Sequence, residues 1–155
     1  MRIGSTFAGL YINNKTAYIV NIGDSRVYLL RSGVLWQMSR DHTSIQQMID
    51  MNVMTKEKAR LHPDRHKLTQ HLGILPSEMI IEPFSTKVEL QDTDTFLLCS
   101  DGLTDMLENF EIENELNSTN TIKQKTENLY NAAFNNGGKD NITILTVQVK
   151  KGLLG

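Results

Sequence analysis

The sequence predicts a mixed α+β domain, and three observations carry that prediction. The first third is a succession of short β-branched and aromatic runs broken by turn residues, the middle switches to helical spacing, and the last third joins an all-apolar run to an amphipathic stretch and a closing strand pattern. The 155 residues suit one hydrophobic core, because a chain of that length buries about 70% of the surface its unfolded form exposes.

Each element follows from local chemistry. Phe7–Ile12, Thr16–Ile22, Arg26–Arg31 and Val34–Met38 read as a meander of antiparallel strands. Asn13-Asn14-Lys15 and Arg31-Ser32-Gly33 are hairpin turns in which Asn and Gly supply positive φ. The break at Gly23-Asp24-Ser25 differs, since it leaves an acidic side chain at a strand end. Helical spacing of Ile45, Met48 and Ile49, and then of Ala59 and Leu61, predicts short helices over about 44–51 and 55–61. Proline after His62 ends the second, because it disfavours helical geometry in the preceding residue. Strands are expected again at Met79–Ile81 and Thr86–Leu90, and Thr95–Ser100 reads as a strand buried on both faces. A helix starts near Leu103 and another spans about 121–134, stopped by Asn135-Asn136-Gly137-Gly138. Ile142–Val149 is a final strand whose alternation slips once, as a bulge would make it.

Composition narrows the function. A net charge of −2 and an isoelectric point near 6.1 speak against a nucleic-acid binder, whose phosphate contacts need clustered Lys and Arg. No apolar run approaches the ~20 residues that cross a bilayer, and the first residues carry no secretory pattern. The single cysteine, Cys99, excludes a disulfide framework and fits a reducing compartment, so a cytoplasmic protein without a membrane partner is expected. Cys99 lies in the apolar strand and is expected to be an inert core thiol.

Five aspartates stand beside Gly, Ser or His at strand ends: Asp24, Asp41, Asp101, Asp105 and Asp140. Carboxylates converging on a cleft repel one another unless a cation lies between them, and oxygen-only ligation selects hard ions such as Mg²⁺ or Mn²⁺ over zinc. Asp101 and Asp105, four apart, share a face if helix runs through both. Taken singly, an aspartate in a turn most often caps backbone. A serine hydrolase is disfavoured, since Ser100 lacks a G-x-S-x-G setting. His42, His62, His66 and His71 show no ligand spacing and read as caps, loop contacts or surface groups. Met48, Met51 and Met54 read as core filler or an adaptable contact surface.

In order, Gly4-Ser5-Thr6, Asn21-Ile22-Gly23-Asp24-Ser25-Arg26, Ser39-Arg40-Asp41-His42-Thr43, Leu68-Thr69-Gln70-His71-Leu72-Gly73, Phe96–Asp105 and Lys139-Asp140-Asn141-Ile142-Thr143 resemble successive motifs of the metal-dependent type 2C (PPM) serine/threonine protein phosphatases. The resemblance covers nearly the whole chain and implies a sandwich of two antiparallel sheets with helices on both outer faces. It makes residues 1–155 one partial phosphatase domain with a flap subdomain over about 43–78. It also implies a centre of two Mn²⁺ or Mg²⁺ ions, possibly joined by a third, in which a metal-bound water attacks phosphoserine or phosphothreonine of a phosphoprotein, with no protein nucleophile. By motif position Asp101 and Asp140 match ligands of the binuclear core, and Asp24 and Asp105 match a third-metal site that shares Asp101. Asn141 would orient Asp140, while Arg26 and Asp41-His42 would be structural or anchor the flap.

The family also places a phosphate-binding Arg, a Glu-Asp pair and an Asp-Gly-x-x-Gly segment upstream of the Gly-Ser-Thr motif. Here that motif begins at residue 4 and no Asp-Gly-x-x-Gly occurs; Gln70 stands where arginine is frequent. The expectation is therefore the C-terminal portion of a phosphatase domain, with little or no turnover alone and an uncovered sheet edge that favours a homodimer or strand exchange. The alternative expectation is a non-catalytic, truncated relative that binds a phosphoprotein or another partner.

Overall fold

The computed structural model describes residues 3–150 and 152. Two antiparallel sheets face each other. β1 (Phe7–Asn13), β2 (Thr16–Ile22) and β5 (Phe84–Glu89) form one in the order β1-β2-β5. β3 (Arg26–Arg31), β4 (Val34–Gln37), β6 (Thr95–Cys99) and β7 (Ile144–Gln148) form the other in the order β4-β3-β6-β7. Between the sheets, Ala17 and Ile19 of β2 meet Val27 and Leu29 of β3 and Phe96 and Leu98 of β6. The alternate residues of β3 and β6, Tyr28, Leu30, Leu97 and Cys99, face the opposite way. There they pack under α3 (Asp101–Thr104), α4 (Asn109–Asn117) and α5 (Ile122–Asn135), through Leu103, Ile112, Leu116, Leu129 and Ala133. β6 is thus buried on both faces, as its unbroken apolar run predicts. Burial pushes the Cys99 thiol up to about 12, in keeping with an inert core residue.

The first four strands are not one meander. β2 pairs with β5 and β3 with β6, so the chain passes from one sheet to the other at Gly23-Asp24-Ser25. Gly23 makes the crossing feasible: its φ is +92°, and a Cβ there would lie 2.4 Å from Thr6 Cγ2. Met79–Ile81 is not a strand. The chain turns on Leu75, whose carbonyl accepts from both Glu78 and Met79, and the Glu82 amide is taken by the Gln70 side chain before Pro83, which has no N–H to donate. β7 holds one register against β6, from Thr95↔Gln148 to Cys99↔Ile144, so no bulge exists. The slip in alternation marks where Ile142 and Thr143 precede the strand, Thr143 bonding Ser100 through both its amide and its carbonyl.

The predicted helices over 44–51 and 55–61 appear as α1 (Ser44–Asp50) and α2 (Lys56–Arg60), each capped by a threonine hydroxyl, Thr43 and Thr55. Their segment is pinned at both ends, by a Thr43↔Leu68 bridge and a Ser5↔Leu72 bridge. Helices cover only one of the two outer faces among the described residues. The outer face of β1-β2-β5 presents Phe7 (45% exposed), Tyr11 (65%) and Tyr18 (42%). No helix of the described residues is long and apolar enough to cross a membrane.

Candidate metal centre

The four strand-end aspartates are delivered to one end of the sandwich by three turns. Asp24 sits on the sheet crossing, Asp101 opens α3 directly after β6, Asp105 follows one helical turn later, and Asp140 lies in the loop before β7. The Asp105 amide donates to the Asp101 carbonyl at 2.8 Å, which sets the two carboxylates on one turn, as their spacing predicts. Asp24, Asp101 and Asp105 line a cleft of about 730 Å³ whose opposite wall is α1, α2 and the turn that follows them.

The backbone around the cleft is tied by side chains whose roles motif order alone does not reveal. Buried Asn21 donates to the carbonyls of Gly23 and Arg40 and accepts from the Arg40 amide, which locks the crossing to the segment before α1. Ser100 Oγ donates to the Asn141 carbonyl and accepts from the Thr143 amide, both at 3.0 Å. Gly102 permits that approach, since a Cβ there would stand 2.3 Å from the Asn141 carbonyl oxygen. The Asp140 loop is therefore docked on the turn that presents Asp101. Asp140 itself is exposed, and its Oδ1 accepts from the Asn141 backbone amide at 2.7 Å. Asn141 thus holds Asp140 through its amide rather than its side chain.

Arg26 and Asp41 pair across the cleft: Nη2 and Asp41 Oδ2 are 2.6 Å apart, Nε donates to both carboxylate oxygens, and Gln37 adds a third donor. His42 accepts from the Gly23 amide through Nδ1, and its carbonyl accepts from Thr69. Both residues thus act as anchors between the sheet crossing and the α1–α2 segment.

Asp24 and Asp101 receive no guanidinium fork of this kind among the described residues. Burial, and then the charges of Asp101 and Asp41, push Asp24 up to about 6. Burial first, then Asp105 and Asp140, raise Asp101 above the usual carboxylate range. Into this cluster comes His66, whose sequence spacing predicts a cap, loop contact or surface group. One ligand atom each of Asp24, His66 and Asp101 lies within 4.8 Å of the others. His66 Nδ1 is 3.9 Å from Asp101 Oδ2 and Nε2 is 3.3 Å from Asp105 Oδ2. Arg65 Nε approaches Asp105 Oδ1 at 3.7 Å. The donor set, mostly carboxylate oxygen and mutually repelling, fits a divalent cation. Arg40, Lys56, Arg60 and Arg65 line the walls above that acidic floor together with Glu57 and Glu108, and Arg40 pairs with Asp50, Arg60 with Glu108 and Arg65 with Asp105.

Comparison with known proteins bears on the family and the fold. Residues 1–47 match the Protein phosphatase 2C family. The chain is 37% identical over 146 residues to the serine/threonine phosphatase stp of Listeria monocytogenes, covering 94% of this chain and 57% of that protein. It is 35% identical over 149 residues to protein phosphatase PhpP of Streptococcus pneumoniae, covering 96% and 59%. The chain therefore spans somewhat more than half the length of these relatives. The crystal structure of the Mycobacterium tuberculosis serine/threonine phosphatase PstP superposes with a TM-score of 0.87 at 33% identity, over 95% of this chain and 60% of that one. A structure of the PstP catalytic domain in complex with two manganese ions gives 0.80 at 31%, over 95% and 60%.

Proposed function

We propose that this chain, which belongs to the protein phosphatase 2C family, contributes the acidic floor of a divalent-cation centre that hydrolyses phosphoserine and phosphothreonine in proteins. The observation that carries the reading is the convergence of Asp24, Asp101 and Asp105 in one cleft, with Asp24 and Asp101 raised by burial and by neighbouring carboxylates. Asp101 and Asp140 would hold the binuclear core, and Asp24 would hold a third ion that shares Asp101, with Asp105 beside it. The ions would be Mn²⁺ or Mg²⁺, and the complex of the PstP catalytic domain with two manganese ions supports Mn²⁺ as one that such a site accepts. Bound cations neutralise phosphoryl charge and lower the pKa of water, so no serine or cysteine nucleophile is required.

The chain's own residues do the placing. Asn21 and Gly23 hold Asp24 at the crossing, Ser100 and Gly102 hold the Asp140 loop against Asp101, and the Arg26–Asp41 pair fixes the wall opposite. Lys56, and the wall arginines on giving up their carboxylate partners, would contact a phosphorylated chain, and residues 43–78 would act as the flap over the cleft. Buried, unpaired Cys99 suits a reducing, cytoplasmic setting.

Without an Asp-Gly-x-x-Gly segment in its 155 residues, the chain alone is expected to turn over p-nitrophenyl phosphate slowly at best. Whatever turnover appears with Mn²⁺ is expected to vanish in EDTA and in Asp101→Asn. Turnover that persists in both would sink the reading. The second reading, a phosphoprotein-binding module without turnover, draws on the basic walls; a phosphopeptide that binds as tightly in EDTA as in Mn²⁺ would favour it.

We also propose self-association through the β1 edge. β1 carries no charged residue and no proline, and among the described residues only its approach at Ser5 is bridged, by Leu72. Light scattering is expected to show a dimer that Tyr11→Lys disperses; a monomer at high concentration would refute it.

A further inference from the structure

We infer that His66 donates its Nδ1 to the cation held by Asp24 and Asp101, while Asp105 orients the imidazole through Nε2 and is not itself a ligand. The inference rests on the cation reading above and goes beyond it in naming a nitrogen donor, a changed role for Asp105 and the class of ion the site selects.

The geometry of the ring carries it. Nε2 faces Asp105 Oδ2 at 3.3 Å, within reach of a donated hydrogen bond after a small rotation. A neutral imidazole with its proton there leaves Nδ1 as a lone pair, and that lone pair faces Asp101 Oδ2 at 3.9 Å. Two acceptors directed at one another are unfavourable, and a cation between them resolves the conflict. The Asp24 carboxylate supplies the third corner, all three ligand atoms lying within 4.8 Å of one another. Neighbouring ligands on an octahedral ion about 2.1 Å away are roughly 3 Å apart, and opposite ones roughly 4.2 Å, so small side-chain movements suffice to close the site. A ligating histidine that gives its second N–H to a carboxylate is a recurrent arrangement at metal centres.

The backbone supports the ring position. His66 lies in a turn in which the Arg65 amide donates to the His62 carbonyl and the Lys67 amide to that of Asp64. Lys67 and Thr69 then bond to Ser44 and His42, on the segment anchored to the Asp24 crossing. His66 is thus delivered from the opposite wall of the cleft to the two aspartates, and the cation would join the two walls. A mixed nitrogen and oxygen site favours transition ions over Mg²⁺, which demands oxygen ligands and gives up water reluctantly.

The experiment is electron spin-echo envelope modulation of Mn²⁺ titrated into the purified 155-residue chain, with circular dichroism confirming the fold of each variant. The wild type is expected to show modulation from a directly coordinated imidazole ¹⁴N. In His66→Asn the ion still binds through the aspartates, about tenfold or more weaker and without that modulation, and the preference for Mn²⁺ over Mg²⁺ narrows by a similar factor. Asp105→Asn keeps the modulation and loses about tenfold in affinity, the usual cost of removing an orienting partner. Saturable Mn²⁺ binding without ¹⁴N modulation, or modulation that survives His66→Asn, overturns this inference and leaves the cation reading intact. Mn²⁺ affinity and modulation both unchanged in Asp105→Asn refute the orienting role. No Mn²⁺ binding by the folded wild type overturns both.

Discussion

Asp41 and Asp24 line the same cleft under opposite conditions. Asp41 is nearly enclosed, yet it receives a two-pronged guanidinium from Arg26 and an amide from Gln37. Asp24 is less buried and receives no guanidinium among the described residues; burial and the neighbouring carboxylates Asp101 and Asp41 push it up to about 6, against a smaller downward pull from His66. The difference teaches where charge is compensated by the protein and where compensation must come from outside. The fold uses the first carboxylate to fasten the wall of the cleft and leaves the second uncompensated on its floor.

The sharpest way to break the comparison is Arg26→Ala. It strands Asp41 at 7% side-chain exposure with Gln37 as its remaining donor, and is expected to cost about 3 kcal/mol, because removal of one partner leaves a buried charge unpaired. Urea unfolding measures this; a loss below about 1 kcal/mol would show that Asp41 needs no guanidinium. Gly102→Ala comes next. Its Cβ meets the Asn141 carbonyl oxygen at 2.3 Å, so the Asp140 loop must lift from Asp101, with an expected loss of about 2 kcal/mol. Unchanged stability together with unchanged Mn²⁺ affinity would refute the docking of that loop.

The smallest effect concerns Asp24 and its pH dependence. Its value in the folded chain, about 6, lies above the ordinary 3.8, so the folded state binds the proton more tightly than the unfolded one. Stability from this group is therefore full below pH 3.8 and is lost as pH rises toward 6. After allowance for solvent screening, the loss is on the order of 1 kcal/mol. In EDTA, Asp24→Asn is expected to flatten that part of the stability profile and to leave the protein slightly more stable at pH 7. An unchanged slope between pH 4 and 6 would contradict the uncompensated state of Asp24.

Much of this architecture was legible in the sequence. The turn residues at Asn13-Asn14 and Ser32-Gly33 bound their strands correctly, and the unbroken apolar run of β6 announced its burial on both faces. Alternation gives a strand but not the sheet it joins, so the passage between sheets at Gly23 was invisible until pairing was known. Met79–Ile81 has strand-like side chains, but the turn at Leu75, the capture of the Glu82 amide by Gln70 and the proline at 83 decide otherwise. The aspartates could be picked out because each stands at a strand end beside a small or turn-forming residue. His66 could not: it meets Asp24 and Asp101 from 42 and 35 residues away, and no local spacing encodes such a meeting. The one available signal was its turn, set between anchors on the segment that begins at Asp41-His42.

The most direct test of the cation account is the loss of the free Mn²⁺ spin-resonance signal on titration into the purified chain at pH 7. The wild type is expected to bind saturably, Asp101→Asn and Asp24→Asn to bind at least tenfold more weakly, and Asp92→Asn, an exposed aspartate whose carboxylate accepts from the Gly152 amide, to match the wild type. Equal binding by wild type and Asp101→Asn would contradict the account.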